Sequence, residues 1–168
     1  MQSGPDSIAT VLDEWRSVRP DLDVSPVAII ARMARIRAIV EVEQARVFGS
    51  VGITSADFPV LVTLRRRLPP YRSTHTLLAE DLGLTQGTVT TRDDRLSSRG
   101  LVTREVDTSD ARVRWVQLTD TGLSLVDDLI PEHLAVEEQL LAGISPRRRR
   151  RLAEDLAALL ADLEARYR

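Results

Sequence analysis

The stretch from Thr85 to Arg95, TQGTVTTRDDR, holds side chains suited to reading nucleic acid. The Gln86 amide can bond the edge of an adenine in bidentate fashion. Thr85, Thr88, Thr90 and Thr91 bring hydroxyls for phosphate and methyl groups for thymine. Gly87 lets a backbone approach closely, and Arg95 supplies a guanidinium for a base edge or a phosphate. Such residues read a sequence only if a rigid element presents them.

The residues around them supply that element. Leu78 to Thr121 reads as two short helices joined by a tight turn, then a two-stranded hairpin. Ala79 is small enough to let the first helix approach the second, and Gly83, four residues on, makes the turn. Leu78, Leu82, Leu84, Val89 and Leu96 are the apolar anchors. Thr74 and Thr85 stand where helix caps are wanted, and Gly100 where a helix end favours left-handed backbone. Leu101–Glu105 and Val113–Leu118 read as strands around a loop of turn formers, Asp107 to Arg112. A helix-turn-helix with such a hairpin is a winged helix-turn-helix.

The totals limit the alternatives. The chain has 168 residues, a formal net charge of −2 and no lysine, so all 23 basic residues are arginine. Any nucleic-acid site must therefore be a local patch, and Thr85 to Trp115 holds six arginines against five acids. There is no cysteine, and only His75 and His133 could be imidazole ligands. We find no nucleophile–base pair, phosphate-cradling glycine loop or metal-spaced cluster, which argues against an enzyme and implies no cofactor or metal. No apolar run reaches the roughly 20 residues of a membrane span, and the polar start is no signal peptide, so a cytoplasmic location is expected.

The flanking segments read as helices with too much apolar face. Ile8, Val11, Leu12 and Trp15 recur at helical spacing, with Trp15 expected to cover a core. Ser25-Pro26 starts a helix running to about Phe48, whose stripe of Ile29, Ile30, Met33, Ile36, Ile39, Val40 and Val47 calls for a partner helix. Thr54 to Leu68 is a further helix, starting nearer Asp57 if Pro59 is to sit in its first turn. Arg65 to Arg67 is either a solvated helix end or a phosphate contact. A helix interrupted by Pro131 follows Thr119, and another follows Ser145-Pro146. The run Arg147 to Arg151 reads as a solvated or dimer-bridging face. The expected fold is mainly α with a small β-hairpin wing, a winged helix-turn-helix plus a helical dimerisation region. Residues 1–53 and 120–168 would dimerise, and residues 54–119 would form the DNA-binding lobe. Two surplus apolar arms around a DNA reader point to a homodimer on a pseudo-palindromic duplex operator.

From Ser25 onward the sequence resembles the MarR (multiple-antibiotic-resistance regulator) family. The residues that carry the likeness are Leu84-Thr85, Val89-Thr90, Asp94-Arg95-Leu96, Arg99-Gly100-Leu101-Val102, Asp107, Asp110, Arg112, Leu118-Thr119 and Gly122. His133, Glu137 and Leu140-Leu141 fit the family's C-terminal pattern. The resemblance implies a dimer whose terminal helices interlock, with winged lobes in successive major grooves. It also implies a repressor released by a small aromatic or carboxylate effector. Arg112 at the wing tip would enter the minor groove, oriented by Asp110; where the family commonly has a second wing arginine, this chain has Ala111. Trp15, Arg19-Pro20-Asp21-Leu22-Asp23 and Ser25-Pro26 resemble the branch that includes urate-responsive regulators. That branch's ligand set implies roles for Trp15 and Arg92. Pro59 and Glu80 stand at two other positions of the set, so half of it differs.

Asp93 departs from the pattern. It falls between Val89 and Leu96 on the face of the second helix that should be apolar. A buried carboxylate without a partner would cost several kcal/mol. Either the helix rotates slightly and Asp93 pairs with a nearby arginine, or Asp93 and Arg92 belong to an effector or pH-sensitive pocket beneath that helix. The rival to a DNA-binding regulator is a winged-helix protein-interaction module with weak or lost DNA binding.

Overall fold

In the computed structural model, the described residues are 4–110 and 113–167, and they form seven helices and three strands. The chain divides into two compact units, Met1–Ser55 and Ala56–Arg168.

The first unit holds α1 (Ser7–Val18) and α2 (Val27–Ser50), which pack together. Asp6 does two jobs there. It caps α1 by accepting from the Ile8 and Ala9 amides, and it pairs with Arg32 of α2 at 2.9 Å. The intervening turn is tied by its own side chains, Arg19 to Asp21 and Ser25 to Asp23. Ser25 therefore does not cap α2 as expected, and that helix has no side-chain cap. On α1 the buried residue is Leu12, at 4% exposure, whereas Trp15 is 45% exposed. Ile29, Ile30, Met33, Ile36, Ile39 and Val42 of α2 are exposed, as a stripe awaiting a partner should be.

The second unit begins with α3 (Phe58–Arg65), which starts late enough for Pro59 to fall in its first turn. The arginines that end it are held within the unit. Arg65 pairs with Asp127, Arg67 with Asp81, and Arg66 donates to Thr63. A short strand, β1 (Arg72–Thr74), was not expected. It is followed by α4 (His75–Leu82), α5 (Gln86–Ser98), β2 (Val102–Val106) and β3 (Arg114–Leu118). The wing is thus three-stranded, in the order β1-β3-β2, all antiparallel, with Thr74 opposite Trp115 and Arg104 opposite Val116. Three residues are too few to display an alternating pattern, which is why β1 escapes a reading of the sequence. Gly83 ends α4 at φ 62°, the left-handed geometry that the turn requires.

One aspartate shapes the wing loop. Asp107 accepts from the Ser109 amide and hydroxyl, the Asp110 amide, and the Trp115 indole N–H at 2.8 Å. The Arg72 guanidinium, on the neighbouring strand β1, lies 4.3 Å from the Trp115 ring centre. The Ser109 and Trp115 bonds hold the Asp107 carboxyl well below the usual carboxylate range.

Helix α6 (Asp120–Leu140) continues through Pro131, and α7 (Pro146–Tyr167) follows. Thr119 caps α6 through the Gly122 amide and donates to the Gly100 carbonyl at 2.7 Å. A Cβ on Gly122 would stand 2.0 Å from the Leu101 carbonyl oxygen, so only glycine permits α6 to meet the base of the wing. Arg149 closes the corner between the last two helices, bonding Glu138 and the carbonyls of Leu141 and Ile144. One member of the arginine run is therefore a clasp and not a solvated charge. The Leu152, Leu156 and Leu160 side chains of α7 are exposed.

Two outcomes follow. Gly122→Ala forces backbone apart and should lower stability by about 1–3 kcal/mol, read as a fall in melting temperature. Asp107 has a depressed folded-state pKa, so its contribution is present at neutral pH and disappears as pH falls through and below the ordinary range near ~4. In a Trp15→Phe background, the Trp115 emission of the folded protein should stay constant through that range, because its bonds keep Asp107 ionised well below it; Asp107→Ala should show a shifted emission already at neutral pH.

Candidate nucleic-acid interface

Helix α5 has few apolar residues of its own, and it is held by docking. It packs on α4 and on β2, with Leu78 and Ala79 of α4 buried alongside Val89 and Leu96 of α5. Thr85 caps it by accepting from the Thr88 amide at 3.2 Å, as its position predicts. Asp93 faces inward with Val89 and Leu96 and is completely buried, so the helix has not rotated to expose it. It does pair with an arginine, but not a neighbour on its own helix. Its Oδ2 accepts from Arg104 Nε of β2 at 2.6 Å and lies 2.9 Å from His75 Nε2 of α4. Arg104 reaches on to Asp94 at 2.5 Å, and this contact above all holds the guanidinium in its charged form.

The opposite face of α5 carries most of the residues expected to meet DNA. Thr85, Gln86, Gly87, Thr90 and Thr91 are exposed, and Thr88 is half-buried. The Thr90 and Thr91 hydroxyls donate back to the Gln86 and Gly87 carbonyls, which leaves oxygen lone pairs and methyl groups outward. Gln86 Nε2 lies 3.4 Å from the Thr76 hydroxyl, so its amide is steadied from α4. The free amides at the start of α5 add an anion-favouring end beside these side chains.

Two expected contacts stand apart from this face. Arg95 is turned toward α3, its Nε and Nη2 both bonding the buried Asp57 at 3.1 and 2.6 Å. Asp110 donates its amide to Asp107 and so belongs to the wing loop. Arg112 lies outside the described residues. Of the residues expected to meet an effector, Arg92 is half-buried and lines an open recess of about 560 Å³ with Ala56, Thr85, Gly87, Thr88, Thr91 and Arg95. Asp93 does not line it. Trp15 is on α1, in the other compact unit.

His75, Arg104 and Asp57 position the interface and were missed as site residues. Nothing in their spacing marks them, because each acts across a fold contact; Asp57 and Arg95 are 38 residues apart. Asp107 did carry a signal. Its position two residues before Ser109 and three before Asp110 suits a side chain that folds its own loop.

Comparison with known proteins agrees with this geometry. The family model described as MarR family matches residues 53–113. The HTH-type transcriptional regulator PecS of Dickeya dadantii is 31% identical over 157 residues, covering 94% of this chain and 92% of the relative. The DNA complex of Sco3205, a MarR family transcriptional regulator from Streptomyces coelicolor, superposes with a TM-score of 0.77 at 23% identity, over 84% of this chain and 93% of that one. Bordetella bronchiseptica BpsR, solved to show how 6-hydroxynicotinic acid regulates its DNA binding, gives 0.69 at 22% identity, over 77% and 96%. The expected fold class, mainly helical with a small antiparallel sheet in a winged helix-turn-helix, is the one these structures share. A chain with this helix-turn-helix, this wing and an extended likeness to PecS belongs to the MarR family.

Proposed function

We propose that this protein is a sequence-specific, DNA-binding transcriptional regulator that works in the cytoplasm as a homodimeric repressor, released by a small aromatic or carboxylate effector. The observation that carries the DNA-binding reading is the outer face of α5, where Gln86, Thr90 and Thr91 stand exposed beside the helix's free amides. Those groups match base edges, thymine methyls and phosphates, and the capped, docked helix holds them in one register. The wing supplies the second contact, with Arg112 in the minor groove.

The dimer follows from the exposed stripes of α2 and α7. Apolar surface on this scale is covered in water, and a second copy presents the same stripes under twofold symmetry. Two α5 helices then face successive major grooves of a pseudo-palindromic operator. No described helix is long and apolar enough to cross a membrane.

The effector reading rests on Arg92. Its guanidinium lines the open recess with the Thr85, Thr88 and Thr91 side chains. A carboxylate bonded there would occupy threonines that otherwise serve the DNA face, so effector and operator would exclude one another. BpsR, which shares the fold, is regulated by an aromatic carboxylate.

Selection of duplexes from a random library should yield a pseudo-palindrome, bound by a species of dimer mass. Log affinity should fall linearly with log salt, with a slope of about −0.9 per phosphate neutralised. Gln86→Ala should weaken the selected duplex by about 1–3 kcal/mol and relax the preference at one base position. Failure to enrich any sequence would favour the protein-interaction reading. In a thermal-shift screen of phenolic carboxylates and purines, a true effector should raise the melting temperature and weaken duplex binding together. Arg92→Ala should remove both responses while leaving duplex affinity within about threefold; retention of both responses in that variant rules out the recess.

A further inference from the structure

We infer that Asp93 is a positioning residue for sequence reading: it sets the rotation of α5 about its own axis. The inference rests on the DNA-binding reading above. On the inner face of α5, Val89 and Leu96 provide apolar contact, which is non-directional and tolerates sliding and small rotations. Asp93 lies between them and is the point where directional bonds converge. One comes from His75 at the start of α4 and one from Arg104 in the middle of β2. Those two elements flank α5 and are themselves tied down. Thr74 caps α4 next to His75, and Arg104 is registered opposite Val116 in the sheet. A helix pinned at one carboxylate from both neighbours has its rotation fixed.

Stability does not explain the carboxylate. Asp93 is completely buried, and its Oδ1 has no hydrogen-bond partner among the described residues. An unsatisfied buried oxygen is unfavourable, and a buried ion-paired cluster replaced as a whole by apolar residues is commonly neutral or stabilising; when Asp93 alone is removed, the part-exposed Arg104 still keeps its bond to Asp94. The arrangement gives up stability for geometry. The geometry matters because the reading side chains stand at the rim of the helix, about 5–6 Å from its axis. A rotation of about 20° moves them by about 2 Å, well beyond the ~0.5 Å within which a binding constellation must be held. Phosphate contacts from long or mobile groups survive such a shift, whereas a bidentate base contact does not.

The inference therefore separates three quantities that a merely structural role would move together. The probes are the duplex selected by the wild-type protein and a scrambled duplex of equal length. Asp93→Val, in which Arg104 keeps Asp94, should change the melting temperature little, leave scrambled-duplex affinity unchanged, and lower selected-duplex affinity tenfold or more. Asp93→Asn keeps an acceptor of the same shape and should recover most of that loss. His75→Ala should weaken the selected duplex in the wild-type background and add nothing in the Asp93→Val background. The idea is overturned if Asp93→Val binds the selected duplex like wild type. It is equally overturned if that variant loses both duplexes in parallel, if its affinity falls with its melting temperature, or if Asp93→Asn recovers nothing. If the wild-type protein selects no duplex, the DNA-binding reading fails first, and with a different signature.

Discussion

The structure turns on a helix that cannot stand by itself. Helix α5 reads QGTVTTRDDRLSS, in which only Val89 and Leu96 are apolar. Thirteen residues with two β-branched threonines in mid-helix and a glycine near the start would be marginal alone in water. Its order is borrowed from α4 through the Gly83 turn, from β2 through Arg104, and from the base of α3 through the Asp57–Arg95 pair. Each of these contacts binds the inner or lateral side of the helix. The outer side is left free to be polar, small and exposed, which is what a groove of DNA requires.

The arginine-only composition takes on meaning in that setting. Many guanidiniums of the winged unit are already engaged by carboxylates: Arg65 with Asp127, Arg67 with Asp81, Arg95 with Asp57, Arg104 with Asp93 and Asp94. Their planar forks serve as crosslinks between elements, and lysine could not make the same two-pronged bonds. Tallied as charge, these arginines suggest a weak nucleic-acid patch. Seen as joints, they account for part of the balance: Asp93 and Asp94 of the recognition helix hold Arg104, and Asp107 folds the wing loop.

Much of this was legible beforehand, and the boundary of legibility is physical. Caps at Thr74, Thr85 and Thr119, the turn at Gly83 and the helix start forced by Pro59 are local effects, decided within four residues along the chain. They read well from spacing. The anomaly at Asp93 was also visible, since a carboxylate broke an apolar period, but its partners were not. His75 lies 18 residues away and Arg104 lies 11 away, brought in by the α4 turn and the sheet register. Likewise Ser25 had the right neighbours for a cap, yet Asp23 competes for it at shorter range. Arg95 looked like a DNA contact because its spacing puts it on an exposed flank; only the fold reveals that Asp57 stands opposite.

The contact between Gly122 and the Leu101 carbonyl has a mechanical side. Where the helices of the unit pack on one another, they meet largely through side chains, which can compress, tilt or exchange rotamers and so absorb small displacements. Here two backbones touch with nothing between them, and Thr119 bonds them together at the same spot. The joint has no slack. Whatever moves the first turn of α6 by an ångström moves the root of the wing by the same ångström, and a hairpin arm of five residues, roughly 17 Å long, enlarges any tilt toward its tip. The wing is in this sense a pointer fixed to α6, and a missing methyl group is its bearing.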